Sequence, residues 1–302
     1  MAKNIDFSQN NCSILFNVLE SVIPQKSDVI VIYSGIWSFA HIFKMDPKKV
    51  ANFILDCIDR FIGDGKTVIF PSFCASDFVK TKNFDLSLSL PRESGLLSIA
   101  ALKTEGYTRT HNPLHSYLIK GPMKNDVMSL KSSTSWGKDS ILSWMVDVDA
   151  LVCPLGLDWH SACSLFHIIE EDLQVPYRYF KKFSGNMFNN EKFVSSCSEV
   201  KYSYPLNVTL EFDFSITTKS LKNNFKVLNS SDNRISMESA SAKDILSASR
   251  IALEGDIFAY VKNKEDALNW IKNYKDLEIS SLSKDQRYMY PYPLSCRDLI
   301  SR

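Results

Sequence analysis

The chain has 302 residues, of which 45% are hydrophobic, 23% charged and 12% aromatic. This apolar fraction is typical of a globular protein and excludes a disordered chain. Thirty-five Lys and Arg residues against 34 Asp and Glu residues give a formal net charge of +1, which disfavours nucleic acid and anionic membranes as partners. No apolar stretch is long enough for a membrane span, and the first residues do not have the pattern of a signal peptide. We therefore expect a cytoplasmic protein.

The cysteines support the same expectation. Seven of them are scattered along the chain without a C-x-x-C pair. Because the number is odd and the spacing irregular, a disulfide framework or a structural zinc site is disfavoured. We predict reduced thiols and no bound metal.

The first half of the chain alternates between helix and strand patterns. Apolar residues at helical spacing over 14–22 predict a first helix, and Asp28–Tyr33 is a β-branched run typical of a buried parallel strand. Asp46 and Pro47 predict a helix start, and Thr67–Phe70 reads as a second strand. Further helix patterns cover 94–105, 138–146 and 161–173, and strand patterns cover 116–119 and 150–153. This order predicts an α/β fold with a central, mostly parallel sheet flanked by helices.

The sequence changes in texture near residue 185, where Asn, Ser and Lys become frequent. We predict that residues 1–185 form the main α/β part. Residues 186–302 would form a smaller α+β part packed against it, with an aromatic, proline-rich tail at 287–293. Since no repeat or low-complexity linker separates the two parts, we expect one compact unit.

Three polar clusters follow the predicted strands, where α/β sheets place their ligands. The densest runs from Pro154 to Glu171, and Asp158 or Ser161 would cap its helix. Helical spacing places one group of polar side chains on a single face: His160, Ser164, His167 and Glu170 or Glu171. A histidine there can titrate near neutral pH and accept a proton, with Glu170 orienting its ring. A structural histidine on an amphipathic helix is an equally open interpretation.

The other two clusters are the loop Arg109–Ser116 and the turn Ser135–Ser140 before a predicted helix. A polar loop fixed by a proline suits ligand binding, although a solvated turn fits the composition equally well. Gly137 and Ser140 at a helix start could direct backbone N–H groups at phosphate oxygens, a weak signal that Asp139 opposes.

In this order the three clusters resemble the aminoglycoside 3-N-acetyltransferase family, whose members transfer an acetyl group from acetyl-CoA to an amino-sugar nitrogen. The most specific match is the family's Leu-Gly, Thr-x-x-His-x-x-Glu and Val-Pro-Tyr-Arg stretch. It is matched here by Leu155-Gly156, Ser164–Glu170 and Val175–Arg178. The family's Arg-Ser/Thr-x-His/Asp-Pro-x-x-Ser loop is similar to Arg109–Ser116, and its Phe-Gly-x-x-Ser turn is similar to Trp136–Ser140.

Two strand ends, Tyr33–Gly35 and Pro71–Phe73, are also similar to family motifs, and a weaker similarity persists at Ser239–Leu253. The resemblance thus covers about residues 11–253 and is strongest between Gly95 and Arg178. Four positions depart from the family pattern, namely Tyr33 for histidine, Gly35 for serine, Asn112 for His/Asp and Ser164 for threonine. These departures indicate a divergent member that acts on a different amino sugar.

The resemblance implies direct acetyl transfer, with acetyl-CoA as co-substrate and the 1–185 part as the CoA-binding and catalytic part. It implies His167 as general base, with Glu170 and Asp158 as further catalytic residues, and an oxyanion held by N–H groups near Ser34 and Gly35. The cofactor-binding residues it implies are Ser34, Gly35, Ser72, Arg109, His115, Ser116, Gly137 and Ser140. The amino sugar would contact His160, Ser164 and Glu171. The aromatic tail could cover a neighbour's surface in a homodimer.

Several alternatives stay open. Cys163 could be a nucleophile that His167 activates. A divalent metal in a hydrolase could be held by His111, His115, His160, His167 and Glu171. The chain could also be a non-catalytic relative that binds a sugar or CoA. Because the balanced charge gives no sign of an acidic pocket for a polycation, the acceptor could instead be an amino sugar of a surface polysaccharide or one linked to a nucleotide.

Overall fold

The computed structural model describes residues 7–162, 164–205, 208–221, 224–229 and 234–275. Cys163 and the tail at 287–293 lie outside these residues. The strands are β1 (Val29–Ser34), β2 (Thr67–Pro71), β3 (Asn83–Asp85), β4 (Thr108–Arg109), β5 (Tyr117–Lys120), β6 (Leu151–Leu155), β7 (Tyr179–Asn189), β8 (Lys192–Ser203), β9 (Asn224–Asn229) and β10 (Arg234–Ser241).

The helices alternate with these strands in the first part of the chain. They are α1 (Phe7–Val22), α2 (Trp37–Phe43), α3 (Pro47–Ile62), α4 (Ala75–Thr81), α5 (Gly95–Leu102), α6 (Lys124–Met128), α7 (Ile141–Asp147), α8 (Trp159–Ala162), α9 (Phe166–Asp172), α10 (Ser215–Thr218), α11 (Ala242–Gly255) and α12 (Lys264–Lys275). A 3-10 turn covers Arg92–Ser94. None of the described helices is long and apolar enough to cross a membrane.

A seven-stranded sheet in the order β4-β5-β2-β1-β6-β10-β9 forms the centre of the fold. The three central strands β2, β1 and β6 are parallel, and the strands outside them pair antiparallel. The predicted α/β fold is thus confirmed, with its parallel pairing in the middle of the sheet. A smaller sheet, β3-β7-β8, is built on the long β7–β8 hairpin.

The alternation of side chains along β1 explains why helices cover both faces of the central sheet. Val29, Val31 and Tyr33 belong to the core that includes buried residues of α7, α9 and α11. Ile30 and Ile32 point to the opposite core, which α1, α3 and α5 complete. Because successive strand side chains face opposite ways, a continuous apolar run is buried on both sides.

The helix-start signal at Asp46–Pro47 is confirmed, since the Asp46 carboxylate accepts hydrogen bonds from the backbone N–H groups of Lys48 and Lys49. The single helix predicted over 161–173 is wrong. The chain instead forms α8 and the separate α9.

The change of texture near residue 185 falls inside a strand. Gly185 lies within β7, where it pairs with Cys197 of β8. An added Cβ at Gly185 would lie 2.2 Å from the Lys82 backbone oxygen, so the absence of a side chain allows the hairpin to approach that loop. In addition, β10 pairs with β6 in the central sheet. The predicted parts 1–185 and 186–302 therefore share both sheets.

Candidate active site

Two glycines allow the chain segments that follow β1 and β6 to approach each other closely. Gly156 follows β6 with φ +69°, and a Cβ there would lie 2.4 Å from the Gly35 carbonyl oxygen. A Cβ on Gly35 would lie 2.6 Å from Leu157 Cδ2 and 2.8 Å from the Gly156 oxygen. Neither position has room for a larger residue without a backbone shift. After this close approach the chain continues from β6 into α8 and α9.

His167 and Glu170 face each other across one turn of α9. The distance from His167 Nδ1 to Glu170 Oε2 is 2.5 Å, and the Glu170 side chain is fully buried. Because an ionised carboxylate only accepts hydrogen bonds, this contact assigns the proton to Nδ1 and leaves the lone pair on Nε2. Glu170 Oε1 in turn accepts the Tyr177 hydroxyl at 3.0 Å and lies 2.9 Å from Arg178 Nε. The carboxylate is therefore held on both oxygens.

The charges around the pair keep the imidazole neutral. Burial, helped by the positive charges of Arg178 and Lys201, lowers the pKa of His167 to about 4, against the opposing effect of Glu170. Burial alone would raise the pKa of Glu170, but Arg178 and the hydrogen bond with His167 lower it overall. The His167 side chain is still 23% exposed. At neutral pH the site thus offers solvent a neutral imidazole, the form that can accept a proton.

Trp136 lies at the centre of the site. Its ring centroid is 4.5 Å from that of His167 and 5.6 Å from that of His115. The Lys201 Nζ atom is 5.4 Å from the same ring, and the Arg178 guanidinium carbon is 5.7 Å from it. The buried indole N–H of Trp136 has no hydrogen-bond acceptor among the residues that the structure describes. The indole thus connects two histidines and two cations.

A second histidine–carboxylate arrangement lies on the His115 side of Trp136. Glu199 is fully buried and accepts hydrogen bonds from the Ser135 hydroxyl at 2.6 Å and from the Leu114 backbone N–H at 2.8 Å. His115 Nδ1 is 3.1 Å from Ser135 Oγ and 3.4 Å from Glu199 Oε1. Burial and the charge of Lys201 lower the pKa of His115. Burial would raise the pKa of Glu199, but the bonds from His115 and Ser135 lower it overall.

The backbone of β8 explains how Glu199 and Lys201 reach the site. Val200 accepts from the Ser135 N–H and donates to the Ser133 carbonyl, both at 2.8 Å, which forms a parallel bridge beside Thr134. This bridge brings the residues on either side of Val200 next to Ser135 and Trp136. The sequence prediction missed Glu199 and Lys201 because nothing local indicated which loop β8 would meet. Their spacing of two residues in a strand-like segment was the one available signal.

Several predicted cofactor-binding groups are used inside the protein. The buried guanidinium of Arg109 donates to Ser116 Oγ at 3.0 Å, to the Ser72 carbonyl at 2.6 Å and to the Ser89 carbonyl at 2.5 Å. Ser72 and Ser116 have no exposed surface. The loop Arg109–Ser116 is thereby fixed to the end of β2, and these three side chains are turned away from solvent.

The other predicted cofactor groups also have internal partners. The buried Ser140 caps α7 by accepting from the Ser143 N–H at 3.2 Å, and the Gly137 N–H donates to Thr134 Oγ1 at 3.0 Å. The Gly35 N–H donates to the Leu155 carbonyl at 2.8 Å and is therefore already used within the fold. Ser34, Gly35 and Gly137 remain partly exposed.

The predicted acceptor-binding residues have different surroundings. The Ser164 N–H, one turn before His167, donates to the Tyr33 hydroxyl at 3.4 Å and so connects α9 to the end of β1. His160 is exposed, with its ring 5.4 Å from that of Phe214. Glu171 is half-buried, and burial with the charge of Asp172 raises its pKa to about 7.

Two further predictions concern residues that the structure does not bring to the pair. Asp158 is exposed and caps α8 by accepting from the Ser161 N–H at 2.9 Å, which gives it a structural use. The described part of the chain contains no group of three or more His, Cys, Asp or Glu residues placed to hold a metal ion. The proposed convergence of His111, His115, His160, His167 and Glu171 is therefore not seen.

Comparisons with known proteins concern the family and the fold of the chain. Residues 46–234 match the family model described as aminoglycoside 3-N-acetyltransferase. No curated protein sequence gives a significant match. Similar solved structures include the AAC(3)-IVa apoenzyme, with 17% identity, coverage of 85% of this chain and 96% of that one, and a TM-score of 0.60. YokD from Bacillus subtilis has 14% identity, coverage of 82% and 94%, and a TM-score of 0.63. AAC-IIIb bound to CoASH has 16% identity, coverage of 81% and 96%, and a TM-score of 0.61.

Proposed function

The chain belongs to the aminoglycoside 3-N-acetyltransferase family, and from this premise we propose that it transfers an acetyl group from acetyl-CoA to the amine of an amino sugar. The observation that carries the proposal is the His167–Glu170 pair, whose geometry leaves Nε2 basic on a partly exposed ring. The resemblance of the fold to AAC-IIIb, whose structure contains CoASH, supports the choice of acyl donor.

In the proposed reaction the amine nitrogen attacks the thioester carbonyl, and His167 Nε2 accepts the proton that the nitrogen loses. The tetrahedral intermediate then collapses, so that the new C–N bond remains, the C–S bond breaks, and the proton passes from the imidazolium to the CoA sulfur. Glu170 keeps the Nδ1 proton in place and stabilises the positive charge on the ring. Such a base contributes about 10²–10⁴-fold to the rate.

The thioester is proposed to approach from the end of β1. Ser34, Gly35 and Gly137 are the predicted cofactor residues that keep exposed surface. The contact between Ser164 and Tyr33 brings that strand end close to α9. We propose that His115 is a positioning residue rather than a direct contact of the cofactor, because Ser135 and Glu199 already hold its Nδ1 atom.

The test is a CoA-release assay with acetyl-CoA across aminoglycosides and nucleotide-linked amino sugars, run on wild type, His167→Gln and His41→Gln. The exposed His41 on α2 is the matched control. We expect His167→Gln to lose at least about 100-fold in kcat and His41→Gln to keep wild-type activity. Activity of His167→Gln within about tenfold of wild type would refute the general-base role.

A second measurement distinguishes the enzyme from a relative that only binds. The thermal shift produced by CoA reports binding without turnover, because a ligand that binds the folded state raises its stability. A CoA-dependent shift together with no acetyl transfer to any member of the panel would favour the non-catalytic alternative.

A further inference from the structure

A cleft of about 220 Å³ lies between the β7–β8 hairpin and α4. Its described lining includes Lys181 and Lys201 and the aromatic residues Tyr179, Phe183 and Tyr204. No carboxylate contributes to this described lining. A cleft with two lysines and aromatic walls has the character of a site for an anionic ligand that also carries a ring.

Lys201 is a partly buried cation without a direct partner among the described residues. In the described part of the chain its ammonium has neither a hydrogen-bond acceptor nor an ion-pair partner. The carboxylates of Glu199 and Glu93 act on Lys201 only through their charge. The oxygens of Glu199 already accept hydrogen bonds from Ser135 and Leu114. Burial and the charge of Arg178 lower the pKa of Lys201 to about 8, so the ammonium form still predominates at neutral pH.

Arg178 differs from Lys201 in this respect. Its guanidinium lies 2.9 Å from Glu170 Oε1 and donates to the Tyr202 carbonyl at 3.3 Å, so its charge has a partner. A buried charge without a partner is costly, and ligands that supply the opposite charge reduce that cost. Lys201 therefore has the greater capacity to bind an anion.

We propose that the acceptor amino sugar carries a phosphate or carboxylate group that binds Lys201 while its amine meets Nε2 of His167. Both side chains lie against the indole of Trp136, which places them within reach of one sugar unit and its substituent. The proposal rests on the proposed function and specifies the class of its substrate. A polycationic aminoglycoside would instead bring positive charge against Lys181, Lys201 and Arg178.

The acceptor is a better source of this anion than CoA, because Lys201 and the proposed thioester site at the strand ends are connected to His167 through different residues. The strand-end side, with Ser34 and Gly35, connects to His167 through Ser164 and Tyr33. Lys201, which lines the cleft, is connected to His167 through Trp136: its Nζ atom lies 5.4 Å from the indole, whose centroid is 4.5 Å from that of the His167 ring. If the thioester approaches along the strand ends, the lysine cleft is left for the second substrate.

The test compares amino sugars in matched pairs, with and without a phosphate or carboxylate, such as glucosamine 6-phosphate and glucosamine. Calorimetric titration measures binding in the absence of acetyl-CoA, and steady-state kinetics measure KM for each substrate. The proteins are wild type, Lys201→Met and Lys192→Met. Lys192 is an exposed residue at the opposite end of the same strand, so it is the matched control.

We expect at least one anionic sugar to bind at least tenfold more tightly than its neutral partner. Lys201→Met should abolish that preference and raise KM for that sugar at least tenfold. KM for acetyl-CoA should stay unchanged, and the melting temperature should not fall, because the substitution removes a charge without a partner. Lys192→Met should behave as wild type. If Lys201→Met fails to fold, Lys201→Gln replaces it in the same comparison.

Three results would overturn the proposal: equal binding across every pair, tighter binding of tobramycin than of any anionic sugar, or a Lys201→Met effect confined to KM for acetyl-CoA. The last result would assign the cleft to a CoA phosphate. Because titration needs no turnover, an anion preference that depends on Lys201 without acetyl transfer would refute the proposed function alone. Transfer without the preference would refute this inference alone.

Discussion

Protonation of His167 should weaken the fold, and its surroundings set the size of the effect. Burial lowers the pKa of His167 to about 4 in the folded chain, whereas an unfolded-chain histidine titrates near about 6.5. Between these values the unfolded state binds more protons, so this contribution to stability is complete above about pH 6.5 and falls as the pH drops. Acidification from about pH 7.5 to about pH 5 should therefore remove about 2 kcal/mol of unfolding free energy through this one residue.

Urea unfolding of wild type, His167→Gln and His160→Gln at both pH values isolates the contribution of His167. His160→Gln changes an exposed histidine on the neighbouring helix and is the control for the substitution itself. His167→Gln should lose about 2 kcal/mol of the wild-type pH dependence, whatever its stability at the higher pH. If His167→Gln keeps the wild-type pH dependence, the ring is not held neutral, and the availability of Nε2 as a base fails with it.

Further substitutions test other parts of the site. Glu170→Gln removes the charge that holds the His167 tautomer, and we expect a loss of about 10²–10⁴-fold in kcat and of about 3 kcal/mol in urea unfolding; an unchanged kcat would contradict the mechanism. Gly35→Ala should destabilise the chain by about 1–3 kcal/mol through contact with Leu157, whereas Gly65→Ala, with no atom within 4 Å of the new Cβ, should be neutral. Ser140→Ala should cost about 1 kcal/mol as a lost helix cap, and a loss of CoA affinity without a loss of stability would contradict that structural use.

The parts of the fold that could be predicted are those encoded locally. The β-branched run of β1 is buried on both faces, as a continuous apolar run predicts for a central strand. The cap at Asp46 was equally local. The spacing of three residues between His167 and Glu170 placed both on one face of a helix, and the contact between them is observed. Each of these conclusions needed about one turn or one strand of sequence.

What could not be predicted depends on long-range pairing. Glu199 and Lys201 enter the site because Val200 bridges to a loop more than sixty residues earlier, and no local pattern specifies that bridge. The same limitation applies to Arg109 and Ser140, which the sequence suggested as cofactor-binding residues. Their residue types suit phosphate binding, but internal acceptors and a helix cap use those groups first. The sequence reveals which groups can form hydrogen bonds, and the fold decides which partners they find.

Because Trp136 lies between the functional side chains, its intrinsic fluorescence can report on the site. Indole fluorescence responds to nearby imidazolium and ammonium groups, and this ring lies close to His115, His167 and Lys201. The difference between the emission of wild type and that of Trp136→Phe isolates its signal from those of the other four tryptophans, since the chain has five. Arrival of either substrate can thus be followed in real time on unlabelled protein, before any bond is made or broken.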